Sequence, residues 1–152
     1  MSKDVNRQIV ERYWTSFFSR DWMAVARFFA PEAHYTDVGV DPVGASGPAE
    51  IIARLSALDG PARYAQRPGH IVAQGDIVIT EHAELWSFAS GEEFVHPFVS
   101  VMQLEGGFIR RWHDYSHAMT IFSNAPLTWV EYAKNWRDRI RPLAEIWPGE
   151  GF

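Results

Sequence analysis

The 152-residue chain contains no cysteine. This excludes disulfide staples, thiol redox chemistry, a cysteine nucleophile and any thiolate metal site. A basic excess is also missing, since 14 Lys and Arg stand against 19 Asp and Glu for a formal net charge of -5. Nucleic-acid binding ordinarily needs a basic footprint, and the clusters Arg110-Arg111 and Arg137 to Arg141 are short and interrupted, so they read as solvated charge. No apolar run approaches the roughly 18 residues of a membrane span, and the first residues mix acids and bases. A cytoplasmic protein with neither a membrane nor a nucleic-acid partner is expected. The chain lacks a Gly-rich phosphate loop, a Gly-x-Ser-x-Gly elbow, a His-Glu-x-x-His pair, internal repeats and linkers. It reads as one domain over residues 1–152, long enough to bury a sizeable core.

What the chain has in excess is aromatic surface: 10 Phe, 5 Tyr and 7 Trp. Aromatic side chains fill cores, and in a small domain they also wall pockets for apolar ligands. Apolar residues at Ile9, Val10, Tyr13, Trp14, Phe17 and Phe18 follow the helical period and predict a helix from Val5 to about Ser19. A second helix is expected over Asp21 to Ala30, stopped by Pro31, and a strand over Ala33 to Val38. Gly39 to Gly44 reads as turn chemistry, and Ser46-Gly47-Pro48 opens a third helix that closes at Asp59-Gly60-Pro61. Four long extended segments follow: Tyr64–Ala73, Asp76–Ala89, Glu93–Leu104 and Phe108–Met119, with turns at Ser90-Gly91-Glu92 and Glu105-Gly106-Gly107. Thr128 and Glu131 match a capping box for a last helix reaching about Ile140, with Pro142 and Pro148-Gly149 in the tail. The order predicts an α+β domain, a curved antiparallel sheet with helices packed on one face.

Strand alternation places Tyr35 with Asp37, and His82 with Glu84, Thr80 and Val78. In the last strand Asp114 shares a side with Trp112 and Ser116. If the faces carrying Asp37, His82, Glu84 and Asp114 all point at the helices, three carboxyls and an imidazole converge in one aromatic-walled cavity. Crowded carboxyls in low dielectric cannot all ionise, so one is held toward the acid form while another stays a base. This suits a proton-transfer catalyst that needs no cofactor. His82, Glu84 and Asp114 could also be read as metal ligands, but His-x-Glu on a strand is weak support, and no metal is expected.

The element order resembles the nuclear transport factor 2-like, or SnoaL-like, superfamily of cone-shaped α+β folds over about residues 5–122. Phe29 to Asp37, Ile79 to Glu84 and Ser100 to Tyr115, which ends in Trp112-His113-Asp114-Tyr115, are most similar to the limonene epoxide hydrolase family. That resemblance implies Asp114 as the base drawing a proton from water, Glu84 as the acid, His82 in the place of a bridging arginine, and Tyr35 and Asp37 holding the water. Three of these positions depart from the family: His for Arg, Glu for Asp and Asp for Asn. Ketosteroid isomerases share the fold, and an alignment with them implies Tyr13 as an oxyanion donor, Asp37 as the general base and Ser100 in place of the second oxyanion donor. A four-residue slip would offer Asp41 as the base instead. Dehydratases and polyketide cyclases of the superfamily imply a role for the pair His82 and Asp114. A non-catalytic ligand-binding module is the rival class.

Trp14, Phe18, Trp22, Phe98 and Trp112 are expected to shape the pocket for a small hydrophobic substrate, together with Tyr13 and Ser100. The opposite face of the long strands, with Val95, Pro97, Val99 and Val101, is apolar as well and predicts a homodimer packed sheet on sheet. The C-terminal segment, with Trp129, Trp136, Trp147 and Phe152, either lids the cavity or braces the dimer.

Overall fold

Ile9, Val10, Tyr13, Trp14 and Phe17 are all buried, so the helical stripe read from the sequence is the face that α1 (Lys3–Phe18) lays on a sheet. The computed structural model describes residues 3–147; Pro148, Gly149 and Phe152 lie outside the described residues. After α1 the chain reverses at Arg20, whose guanidinium donates to Leu58 O at 3.1 Å and Pro61 O at 2.7 Å. Asp21 then caps α2 (Trp22–Ala26), accepting from the Ala24 amide at 3.1 Å. α2 is shorter than the expected helix, because Phe29 already begins β1 (Phe29–Asp37). Pro31 is tolerated inside that strand at a shift in its pairing with β7 between Phe29 and His34.

β2 (Asp41–Ser46) forms a strand where only a turn was expected. It pairs antiparallel with β1 at the edge of the sheet, where Pro42 and Gly44 are acceptable. Gly44 is obligatory: its φ is +72°, and a Cβ there would lie 2.2 Å from Tyr35 O. α3 (Gly47–Leu55) follows, buries Ile51, Ile52 and Leu55, and has Glu50 accepting from the Ser46 amide at 2.8 Å.

The expected strand Tyr64–Ala73 is two strands, β3 (Arg63–Arg67) and β4 (Ile71–Gln74), interrupted by Pro68-Gly69-His70. Both pair with β5 (Ile77–Ser87). At the break Gly69 presses on the β5 backbone, where a Cβ would sit 2.1 Å from Glu81 O. β6 (Glu93–Glu105) and β7 (Phe108–Ser116) complete the meander. The sheet order is β2-β1-β7-β6-β5-β3, with β4 beside β5. All these pairs are antiparallel except β1 with β7, which run parallel. The architecture is the expected α+β one, an open curved sheet against helices.

Short helices α4 (Met119–Phe122), α5 (Leu127–Lys134) and α6 (Leu143–Ile146) follow. The expected capping box is not formed: Pro126 is the N-cap of α5, and the helix ends at Lys134 before a 3-10 turn over Trp136–Arg139. No helix among the described residues is long and apolar enough to cross a membrane.

Candidate active site

Alternation along β5 buries Val78, Thr80, His82, Glu84 and Trp86 on one face. Direct pairing carries the same face across the sheet in rows: Thr80 opposite Ser100, Ser100 opposite Asp114, and Asp114 opposite Asp37. A neighbouring row sets Gln66 opposite Glu84 and Glu84 opposite His96. α1 closes one end of this face. Its Trp14 indole donates to Thr80 Oγ1 at 3.2 Å, and Tyr13 meets Trp112 edge-on at 5.5 Å. Beyond α1 the face opens into a cavity of about 270 Å³. Tyr35, Asp37, Glu84, His96, Phe98 and Asp114 form its sheet wall, Arg54, Leu55 and Leu58 its roof, and Ile121, Phe122, Trp129 and Trp136 its far side. The C-terminal segment thus supplies part of the cavity wall.

Asp114 is held from several directions. Its Oδ1 accepts from the Trp112 indole at 2.6 Å and from the Ser100 hydroxyl, and its Oδ2 accepts from the Tyr35 hydroxyl at 3.4 Å. Burial pushes the carboxyl well above the usual range, and the neighbouring Asp37 adds to this, against the downward pull of the Ser100 and Trp112 hydrogen bonds. Asp37 is also raised by burial, but the Arg54 guanidinium and then His96 pull it back. Its Oδ1 is buried without a hydrogen-bond partner. The pair therefore keeps a proton into a pH range where an isolated carboxyl has lost it, and Asp37 is the member with an uncommitted oxygen. Burial, followed by Asp114, raises the Tyr35 phenol, which stays protonated and donates.

Glu84 sits among donors: the Tyr64 hydroxyl on Oε1, and on Oε2 the Trp86 indole at 3.1 Å and His96 Nδ1 at 2.7 Å. With a carboxylate as its partner, His96 Nδ1 carries the hydrogen, and Nε2 is left buried and unpartnered.

Among the sequence candidates, Tyr35, Asp37, Glu84, Asp114 and Phe98 line the cavity. Ser100 and Trp112 stand behind it and hold Asp114. His82 is not part of the lining. Its ring packs 3.9 Å from Phe98 and 4.4 Å from Trp14, and its Nδ1 lies 3.0 Å from Gln66 Nε2. Burial pushes its pKa down to about 3, so the ring is neutral at physiological pH, whereas the arginine it would replace carries a charge. Tyr13, Trp14, Phe18 and Trp22 are likewise not among the lining residues, because α1 and α2 use them for packing. The Tyr13 hydroxyl is buried without a partner, Phe18 stacks on Tyr64 at 5.2 Å, and the Trp22 indole donates to Asp59 at 2.9 Å. Asp41 lines the cavity but is engaged by Arg137 at 3.1 Å and the Gly44 amide at 3.2 Å. Burial tends to raise its pKa, yet these contacts outweigh it and hold it low. Among the described residues no group of three His, Asp or Glu is placed to hold a metal ion.

The sequence reading passed over His96, Tyr64 and Arg54. Strand alternation would have found His96, since it shares its face of β6 with the candidates Phe98 and Ser100. Tyr64 and Arg54 carry no comparable signal, since their contacts depend on how β3 and α3 are placed.

A model of the SnoaL-like domain matches residues 10–112. The chain belongs to the SnoaL-like family. Its fold is that of solved SnoaL-like and nuclear transport factor 2-like structures. One is an LEH-like epoxide hydrolase from M. tuberculosis, at 17% identity and TM-score 0.68, covering 97% of this chain and 98% of that one. Another is a candidate SnoaL-like polyketide cyclase from Shewanella putrefaciens CN-32, at 15% identity and TM-score 0.69, covering 78% of this chain and 84% of that one. A third is a hypothetical protein with a ketosteroid isomerase-like fold from Catenulispora acidiphila DSM 44928 in complex with trimethylamine, at 18% identity and TM-score 0.68, covering 80% and 95%. No curated protein matches the sequence.

Proposed function

We propose that this SnoaL-like chain is a cofactor-independent acid–base enzyme acting on a small, mostly apolar molecule, with Asp37 as the base and Asp114 as the carboxyl that carries the proton. The single observation behind this reading is the asymmetry of the pair. Asp114 is fully engaged and strongly raised, whereas Asp37 lines the cavity with a free oxygen and is drawn toward ionisation by Arg54 and His96. A base next to a proton-bearing acid suits removal of a proton from carbon beside a carbonyl and its return elsewhere, as in isomerisation, dehydration or cyclisation. The Glu84–His96 pair on the adjoining wall supplies a second group able to accept or donate a proton.

Epoxide opening is the second reading, favoured by the same pair. The roles would be reversed from those implied by the limonene epoxide hydrolase resemblance: Asp37 activates water and Asp114 protonates the oxirane oxygen, since Asp114 is too deeply engaged to be the base. The test is a turnover screen with β,γ-unsaturated ketones and small cyclic epoxides. Turnover of either class with a bell-shaped pH profile supports the acid–base reading, a flat profile overturns it, and silence on both removes isomerisation and epoxide opening and leaves dehydration, cyclisation or plain binding. A homodimer through the outer sheet face is part of this proposal, supported by exposed Val72, Ile79 and Val95 on that side. Sedimentation at micromolar concentration checks it, and a monomer there overturns it.

A further inference from the structure

Most charged side chains around the cavity are already engaged by the protein. Asp41 takes Arg137, Glu84 takes His96, and Asp114 takes the Trp112 indole and the Ser100 hydroxyl. The Lys134 ammonium lies 5.4 Å over the Phe122 ring. Arg54 differs from all of these. It stands half-buried in the last turn of α3, in the cavity roof, and makes no hydrogen bond or ion pair among the described residues. It acts on Asp37 and Tyr35 only through charge at a distance.

A guanidinium is always charged and offers a planar fork of donors matched to two oxygens of one anion. In a cavity lined also by Phe17, Leu55 and Phe98, and without such an anion in contact, it gives up part of its solvation and gains only the distant attraction of Asp37. We propose that the substrate is an apolar molecule carrying one ionised oxygen acid, a carboxylate or an acidic enol, which Arg54 binds while Asp37 faces the carbon to be deprotonated. This rests on the reading of the cavity as a substrate site and specifies its ligand. It also couples binding to chemistry: an anion on Arg54 cancels the positive charge that holds Asp37 down, so the base strengthens when the ligand arrives.

The test measures binding without turnover, by titration calorimetry at pH 7 with paired probes of nearly equal shape. 2-Naphthoate is compared with 2-naphthamide, and 2-hydroxy-1,4-naphthoquinone, an acidic enol, with its methyl ether. In the wild type at least one anion should bind about tenfold tighter than its neutral partner, and which pair shows the preference tells carboxylate from enol. Arg54→Met should bring the two members of that pair to equal affinity, Arg54→Lys should keep part of the preference, and Asp37→Asn should tighten the anion further. Arg54→Lys, checked for folding by its thermal melt, carries the test if Arg54→Met does not fold. Equal binding within both pairs, no saturable binding of any probe, or a preference that survives at Arg54 and vanishes in Lys134→Gln overturns the inference. An anion preference without turnover would retain this inference and remove the acid–base reading, and turnover without the preference would do the reverse.

Discussion

Two buried histidines lie on one face of the sheet, diagonal neighbours on β5 and β6, and they face different surroundings. His82 faces Trp14 and Phe98 at the end that α1 closes, and His96 lines the open cavity. Each has a buried, unpartnered Nε2. They differ in the group at Nδ1: the Gln66 amide nitrogen at 3.0 Å for His82, and the Glu84 carboxylate at 2.7 Å for His96. Hydrogens assigned from these partners place an N–H at Nε2 of His82, inside an aromatic cage, and an N–H at Nδ1 of His96, directed at Glu84, which leaves the Nε2 of this cavity-lining ring without a partner. What stands behind a histidine thus sets what it presents, and the same residue type on the same surface is packing in one place and part of the cavity lining in the other.

That contrast can be broken by measurement. The largest effect is expected for Asp37→Asn, a loss of about 10³-fold in kcat once a substrate is in hand, measured by steady-state kinetics; retained turnover would remove Asp37 from the chemistry. His96→Phe should lower kcat by about 10²-fold, whereas His82→Phe should leave it nearly unchanged. Equal losses at both positions would erase the distinction between the two ends.

The next effect is on stability against pH. The native pKa of His82, about 3, lies below the roughly 6.5 of an unfolded histidine. The unfolded chain therefore binds more protons, and stability is full above pH 6.5 and falls as pH drops toward 3, by up to about 1.4 kcal/mol per pH unit. Denaturant melts across that window should show a shallower fall in His82→Phe. The smallest effect has the opposite sign. Asp114 is raised in the native state, so its contribution is favourable in acid and is lost as pH rises through its native pKa. Asp114→Asn should raise the melting temperature at pH 8 by a few degrees, measured by thermal melts at pH 5 and pH 8, while lowering any turnover found.

Much of the cavity was legible because a strand has a period of two. Once β5 and β7 are recognised, Glu84 and Asp114 are committed to faces, and only the facing direction remains to be found. Helix α1 was legible for the same kind of reason, its stripe being long and regular. The parallel pairing of β1 with β7 was not, since nothing local to either strand names its partner. The break at Pro68-Gly69 was signalled by its residues, and the continuity of the apolar pattern on either side concealed it. β2 was hidden by turn-forming residues that an edge strand accepts. The neutrality of His82 follows from the depth at which α1 seats Trp14, and sequence spacing does not report depth.

The pairing of β1 with β7 also bears on how the chain reaches its native state. β5, β6 and β7 are joined by short turns and can assemble from near neighbours, whereas Asp37 and Asp114 are 77 residues apart and meet only when β1 docks on the far side of the meander. If that docking comes late, relieving the repulsion between the two carboxyls is expected to slow the escape from the native state more than it changes the speed of its formation, which unfolding and refolding rates of Asp37→Asn would check. Substitution at the pair would then change how long the folded molecule lasts more than how it is made.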